Sequence, residues 1–442
     1  MKITVKKGLD LNLAGAAPVP AGDVVAVAPQ VVAIVPDDFT GLTPKLDVKE
    51  GDQVMVGSPL FHDKATEAMK VVSPVSGTVK SVVRGLRRKI ERVEIAPDNG
   101  SGAVKFDTSA DLKSLLMASG LWAMMRQRPY DVVPDAESVP RDIFVTAFDS
   151  APLAPVLTLG MAGAAAELEA AVKALGGLTA GRIYIGVRNA SDLPAVKGAE
   201  IVEVGGPHPS GNVGTHIAAI APVNKGETVW TLDIVTLRKI GHLLLHGVID
   251  PAVTVALTGG EVTEPHYLTT VPGCDIATII GGYVKADDRN HRVISGNVLT
   301  GVAVGADGFL RWPYRQVTVI PEGDDVAEFL GWATPGAGKM SVKRSFLGHF
   351  LPGKKFNPDA RINGGRRAMI LSGEYDKVLP MDILGEYLIK AILARDIDKM
   401  EQLGIYEVAP EDFALPEYVD TSKLELQKIV REGLDYVRKE LA

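Results

Sequence analysis

The chain has 442 residues, more than one hydrophobic core usually organises, so roughly two to four domains are expected. Its 46% apolar and 23% charged residues are ordinary for a globular protein, and a net charge of −7 argues against a nucleic-acid partner, which needs a strongly basic face. A single cysteine, Cys274, excludes an intramolecular disulfide and any zinc or iron–sulfur centre built from several cysteines of this chain.

In chain order, the start carries early positive charge. Asp10, Asn12, Pro18 and Pro20 then interrupt its apolar stretch, so no secretory core segment forms. Residues 1–100 are rich in Val, Gly and Pro in short alternating runs, which predicts an all-β module, with PDNGSG (97–102) as a linker. From 101 to 256 the period changes. Strands are expected at DIFVTAFD (142–149), RIYIGV (182–187), AEIVEVGG (199–206) and ETVWTLD (227–233). Helices are expected over 161–177 and over IVTLRKIGHLLLHG (234–247). That alternation predicts a parallel α/β layer with right-handed crossovers. Residues 257–330 continue a β pattern that returns near 252. They read as a small mixed sheet around one short helix in CDIATIIGGY (274–283). The last part, 331–442, is a Gly- and Lys/Arg-rich loop region followed by helices over 380–404 and 424–441. No run of about 18–20 apolar residues occurs, and the nearest, 242–257, is broken by His246, Gly247, Asp250 and Pro251. Work at a membrane is therefore expected from outside the bilayer, by docking.

Four features could carry chemistry. The stretch EAMKVVSPVSGTVK (67–80) looks like the motif that carries biotin in carboxyl carriers. A carrier lysine must stand at a hairpin tip. Midway between Leu60 and Pro74 lies Glu67, which puts the tip near Lys64–Glu67 and Lys70 on the returning strand, so an unmodified β domain is the simpler reading. In GGPHPSGNVGTH (205–216), Gly205, Gly206, Gly211 and Gly214 follow a strand, flanked by His208 and His216. Such a turn presents N–H groups to an anion or a flat ring, but neither the P-loop nor the dinucleotide spacing is present, and a structural loop is the alternative. His242 and His246 have metal-chelating spacing on one helix, yet no HExxH accompanies them, so packing or solvent-facing roles are expected and no metal site is assigned. Residues 339–367 hold eight Lys/Arg against one acid, Asp359, with Phe346, Phe350 and Phe356 interleaved. Lys343, Arg344, Lys354 and Lys355 are the candidates there for docking to anionic lipid or an acidic partner, against a solvated loop. No catalytic residue stands out.

Several segments together resemble one family, the A-subunits of the sodium-translocating NADH:quinone oxidoreductases (Na+-NQR) of bacteria. They are ITVKKGLDLNLAGAAP (3–18), KLDVKEGDQVMVGSPLF (45–61), SPVSGTV (73–79), RGLRRKIERVEI (84–95) and DIFVTAFDSAPLAP (142–155). HPSGNVGTHIAAIAPVNKGETVW (208–230), SFLGHF (345–350) and the run from Arg367 to Gly404 complete the set. The resemblance implies a peripheral subunit on the cytoplasmic face of the bacterial inner membrane, within a pump that oxidises NADH, reduces quinone and exports sodium. It implies four parts: a biotinyl/lipoyl-like barrel-sandwich domain, an α/β domain resembling the flavin-binding part of complex I, a β-grasp-like ligand domain and C-terminal helices. It places NADH, flavins and iron–sulfur centres on partner subunits and leaves a quinone as the candidate ligand of this chain, with no covalently bound cofactor. His208, Gly211, Gly214 and His216 are then the candidate quinone-binding residues. The isolated chain is expected to be non-catalytic. Around FALPEYVDTSK (413–423) the cysteines that relatives often keep are absent. The alternative is an autonomous soluble flavin- or nucleotide-dependent oxidoreductase.

Overall fold

The computed structural model describes every residue except 99, 101, 326–328, 331, 332, 335, 343, 344, 352 and 442, and the side chain at 349. Its centre is a six-stranded sheet. Four parallel strands, Ile143–Thr146, Ile183–Val187, Glu200–Gly205 and Val229–Asp233, lie in the order third, second, first, fourth. Alternation along Ile143–Thr146 sends its side chains to two faces. Ile143 and Val145 pack under helices Ala165–Leu175 and Ile234–His246, whereas Phe144 packs against Ile217 of helix Val213–Ile220. A sheet covered on both faces suits parallel strands. The antiparallel strand Arg126–Arg128 closes one edge. That strand and the helices Leu112–Ala118 and Val213–Ile220 had no clear signal in the sequence.

Helix Ile234–His246 starts where Asp233 accepts a bond from Thr236 N at 2.7 Å, and it ends at Gly247, in the left-handed region. It crosses helix Ala165–Leu175 at Gly241. A Cβ on Gly241 would stand 1.8 Å from the Glu167 carbonyl oxygen, so only glycine lets the two backbones approach this closely.

The N-terminal module pairs a four-stranded sheet (Val32–Ile34, Gln53–Val54, Gly77–Arg84, Ile90–Pro97) with a three-stranded one (Pro44–Leu46, Pro59–Asp63, Lys70–Val72) around Leu60, Phe61, Val79, Val93 and Ile95. Lys70 lies on the returning strand, as its spacing predicted. Its side chain is 22% exposed and its Nζ stands 3.5 Å from Asp47, whose other oxygen bonds buried His62.

The first thirty residues, counted by sequence with that module, run elsewhere. Lys2–Thr4 adds a parallel strand beside Glu203–Gly205 of the central sheet. Val25–Ala26 extends a second six-stranded sheet at Leu268–Thr269. Between them Gly8 N bonds Lys377 O, Leu9 N bonds His208 O, and Ala14 N bonds Phe356 O. These pairings are main chain to main chain and leave little mark on side-chain pattern. The second sheet also holds Val253–Thr258, His266–Thr270, His291–Ser295, Val302–Ala303 and Gln316–Pro321, and its first strand spans the boundary expected at 256.

The C-terminal helices build their own core from Leu388, Ile389, Phe413, Val430 and Leu434 among others. The expected helix over 380–404 is two, Gly385–Ala394 and Ile397–Gln402, because Arg395 turns left-handed and Asp396 caps the second. Among the described residues, no helix is long and apolar enough to cross a membrane.

Candidate functional site

Where strand order reverses, neighbouring crossovers leave in opposite directions and a crevice opens beyond the carboxyl ends of the strands. Here the reversal falls between Ile143–Thr146 and Val229–Asp233, whose last residues, Thr146 and Asp233, are paired partners. Both line a cavity of about 220 Å³ that also reaches His208, Gly211 and Asn212. The second sheet supplies Tyr314 and Arg315, and the C-terminal module supplies Glu411. A neighbouring cavity of about 440 Å³ shares Thr146, Asp233, Tyr314 and Glu411 and extends the cleft to Arg126, Asp131 and Asp38.

The Gly-rich segment forms one wall. His208 is buried. Its backbone N–H donates to Asp10, its Nδ1 lies 3.0 Å from Ser150 Oγ, and its Nε2 has no partner among the described residues. Ser150 Oγ in turn accepts from Gly211 N at 2.8 Å. His216 stands behind this wall. Its Nε2 donates to Ser210 O at 2.8 Å, and its ring stacks on Phe148, whose ring lies under Arg188 at 4.5 Å. Gly214 lies deeper still, where a Cβ would meet Asp412 Oδ1 at 2.3 Å and Arg128 Nη1 at 2.6 Å. Of the four candidate ligand residues, then, His208 and Gly211 line the cleft, while Gly214 and His216 support it from behind.

Burial holds both imidazoles neutral, His208 and His216 each lowered to about 4; the Asp10 charge and the Ser210 carbonyl oppose this only in part. An unfolded histidine binds its proton near pH 6.5, so between about 6.5 and 4 the unfolded chain holds more protons than the folded one. The contribution of these two imidazoles to stability is therefore complete above about pH 6.5 and falls as the pH drops toward 4, by up to ~3 kcal/mol for each. Urea unfolding at pH 7 and pH 5 measures this, and His216→Gln should flatten the dependence. An equally steep loss in that variant would refute the assignment.

Three carboxyls, Asp149, Asp233 and Glu411, share the rest of the cleft with Arg315 and neutral side chains. Asp149 is raised by burial, and its oxygen already accepts from Ala151 N at 2.7 Å. Glu411 is pushed up, to about 8, by enclosure and by the charge of Asp412, while Arg128 opposes; 41% of its side chain is exposed, and solvent there softens the effect. Asp233 is bidentate with Arg315. These acids face one another across three parts of the chain, so sequence reasoning missed them; only the sheet order, which puts Thr146 and Asp233 together, would have pointed there.

Elsewhere, Lys343 and Arg344 lie outside the described residues. Lys355 is exposed, and Lys354 Nζ donates to Ala337 O at 2.8 Å, while the Lys354 carbonyl accepts from Asn12 Nδ2.

Chemically, the cleft can hydrogen-bond a neutral polar ring through His208 and the surrounding carboxyls. It is poorly suited to a polyphosphate, because acids outnumber cations along its wall.

Comparison with known proteins gives the relationship. Family models described as the NqrA N-terminal barrel-sandwich hybrid domain, the NqrA second alpha/beta domain and the NQRA C-terminal domain match residues 3–98, 107–249 and 254–305. The A-subunit of the Na(+)-translocating NADH-quinone reductase of Neisseria meningitidis serogroup C is 36% identical over 451 residues, covering 99% of this chain and 100% of that protein. Its counterpart in Rhodopirellula baltica is 37% identical over 452 residues, covering 99% and 98%. Against an NAD+-reducing NiFe-hydrogenase in its H2-reduced state the TM-score is 0.33 at 14% identity, covering 48% of this chain and 47% of that one, too weak to carry an argument.

Proposed function

This chain belongs to the NqrA family, the A-subunits of Na(+)-translocating NADH-quinone reductases, and on that premise we propose that it is one component of a membrane complex coupling NADH oxidation and quinone reduction to sodium export. In this reading it sits peripherally at the cytoplasmic face, docks through the basic segment around Lys354 and Lys355, and leaves flavins and iron–sulfur centres to its partners. The observation that carries the reading is the relationship across 99% of the chain, through three domains in order. The cleft supports a quinone headgroup as the ligand, with the partnerless Nε2 of His208 donating its N–H to a carbonyl oxygen. Neutral groups and acids outnumber its lining cation, Arg315, which Asp233 already pairs, and this favours an uncharged ring over a dinucleotide.

Removing this chain from its native host should abolish quinone reduction by the membranes while NADH still reduces the flavins. The isolated chain should oxidise no NADH. Appreciable NADH turnover by the isolated chain would sink the reading. The position of the cleft at a strand-order reversal, where this topology commonly holds nucleotides, favours a second reading as an autonomous flavin- or nucleotide-dependent oxidoreductase. A flavin absorbance in the natively purified protein would bring that one forward.

A further inference from the structure

His242 and His246 occupy successive turns of helix Ile234–His246, their ring centroids 4.4 Å apart. The fold adds a carboxylate that their spacing could not reveal. Glu167, on helix Ala165–Leu175, meets the first helix at Gly241, where its backbone makes the close approach described above. That crossing places the Cα of Glu167 beside the histidine face. Its Oε1 lies 2.8 Å from His242 Nδ1. Its Oε2 accepts from Arg238 Nε at 2.7 Å, and Arg238 also lies 3.7 Å from Asp250.

We propose that Glu167, His242 and His246 form a binding site for a divalent transition-metal ion, best matched to Zn2+. One ligand atom from each of the three lies within 4.8 Å of the others. A tetrahedral zinc ion needs such atoms roughly 3.3 Å apart, so small side-chain rotations close the site. His246 is exposed and gives the ion a way in. Two imidazoles and one carboxylate with the fourth position left to water is an ordinary zinc donor set. Arg238 holds the far oxygen of Glu167 as an outer partner, orienting the near one. The histidines also stand in the last turns of a helix that ends at Gly247, where the backbone dipole favours a cation. Zinc bound here would clasp the two helices that cover one face of the central sheet.

The test uses the full chain without an affinity tag, stripped of metal and titrated with Zn2+ against a chromophoric chelator. One equivalent should bind. His246→Ala should weaken binding at least about tenfold and the His242→Ala, His246→Ala double variant at least about a hundredfold, with far-UV dichroism unchanged. Glu167→Gln should weaken it while leaving the histidines in place, and Co2+ should give visible bands that the double variant lacks. If the double variant binds one equivalent as tightly as the unaltered chain, the proposal is overturned. The ion then sits elsewhere, for instance at Glu261, Asp287 and His291, where Lys285 and Asn357 already hold Glu261. Unaltered affinity in Glu167→Gln would overturn the three-ligand assignment, and absence of any stoichiometric binding would overturn it entirely.

Discussion

Replacing Asp412 by alanine should lower the free energy of the first unfolding transition by about 3–5 kcal/mol, the range for stranding one member of a buried ion pair. Arg128 is 1% exposed. Its Nη1 donates to Asp412 Oδ2 at 2.7 Å and to Glu407 O at 3.0 Å, and its Nη2 donates to Glu411 at 2.9 Å. Asp412 also accepts from Ala409 N at 2.8 Å, so the substitution removes a turn bond as well. What remains is a guanidinium enclosed by protein, with the half-exposed Glu411 and the Glu407 carbonyl as its direct partners. The pair ties the edge strand of the central sheet to the C-terminal module, and Gly214 is the gap through which it passes. Denaturant unfolding measures the loss. The double variant Arg128→Met, Asp412→Ala removes the stranded cation and should recover part of it. A loss under about 1 kcal/mol in Asp412→Ala would show that solvent reaches the pair.

Gly241→Val should cost about 3 kcal/mol or more, at the upper end for overpacking. The new Cβ would fall 1.8 Å from the Glu167 carbonyl oxygen, a backbone atom that a side-chain rotation cannot move. The helices must separate, and the layer of Leu168, Ala171, Leu237 and Ile240 beneath them opens. A thermal midpoint equal to that of the unaltered chain would contradict the close crossing.

Much of the fold was legible where side-chain pattern and burial coincide. The four parallel strands were short runs rich in β-branched and aromatic residues, even though Glu200 and Glu203 punctuate the third, and Asp233 and Gly247 marked the ends of helix Ile234–His246. The position of Lys70 followed from counting residues around a hairpin. Elements held by backbone pairing alone were harder to see. Lys2–Thr4 and Val25–Ala26 are short strands recruited by distant sheets, and helix Val213–Ile220 opens inside a stretch that reads as a glycine loop. Within the site, His208 and Gly211 were visible as residue types following a strand. Asp149, Asp233, Arg315 and Glu411 were not, because their meaning comes from a sheet order that no local window encodes. The same holds for Glu167, separated from His242 by 75 positions.

The route of the first fifteen residues bears on how the polypeptide emerges from the ribosome. Lys2–Thr4 is made well before its pairing partner, which ends at Gly205, and the acceptor for Gly8 is Lys377. At about 5–20 residues per second, the leading segment waits roughly 10–40 s for its strand neighbour and longer for the rest. During synthesis this segment therefore lacks its partners, and its backbone bonds are complete only after Lys377 has appeared.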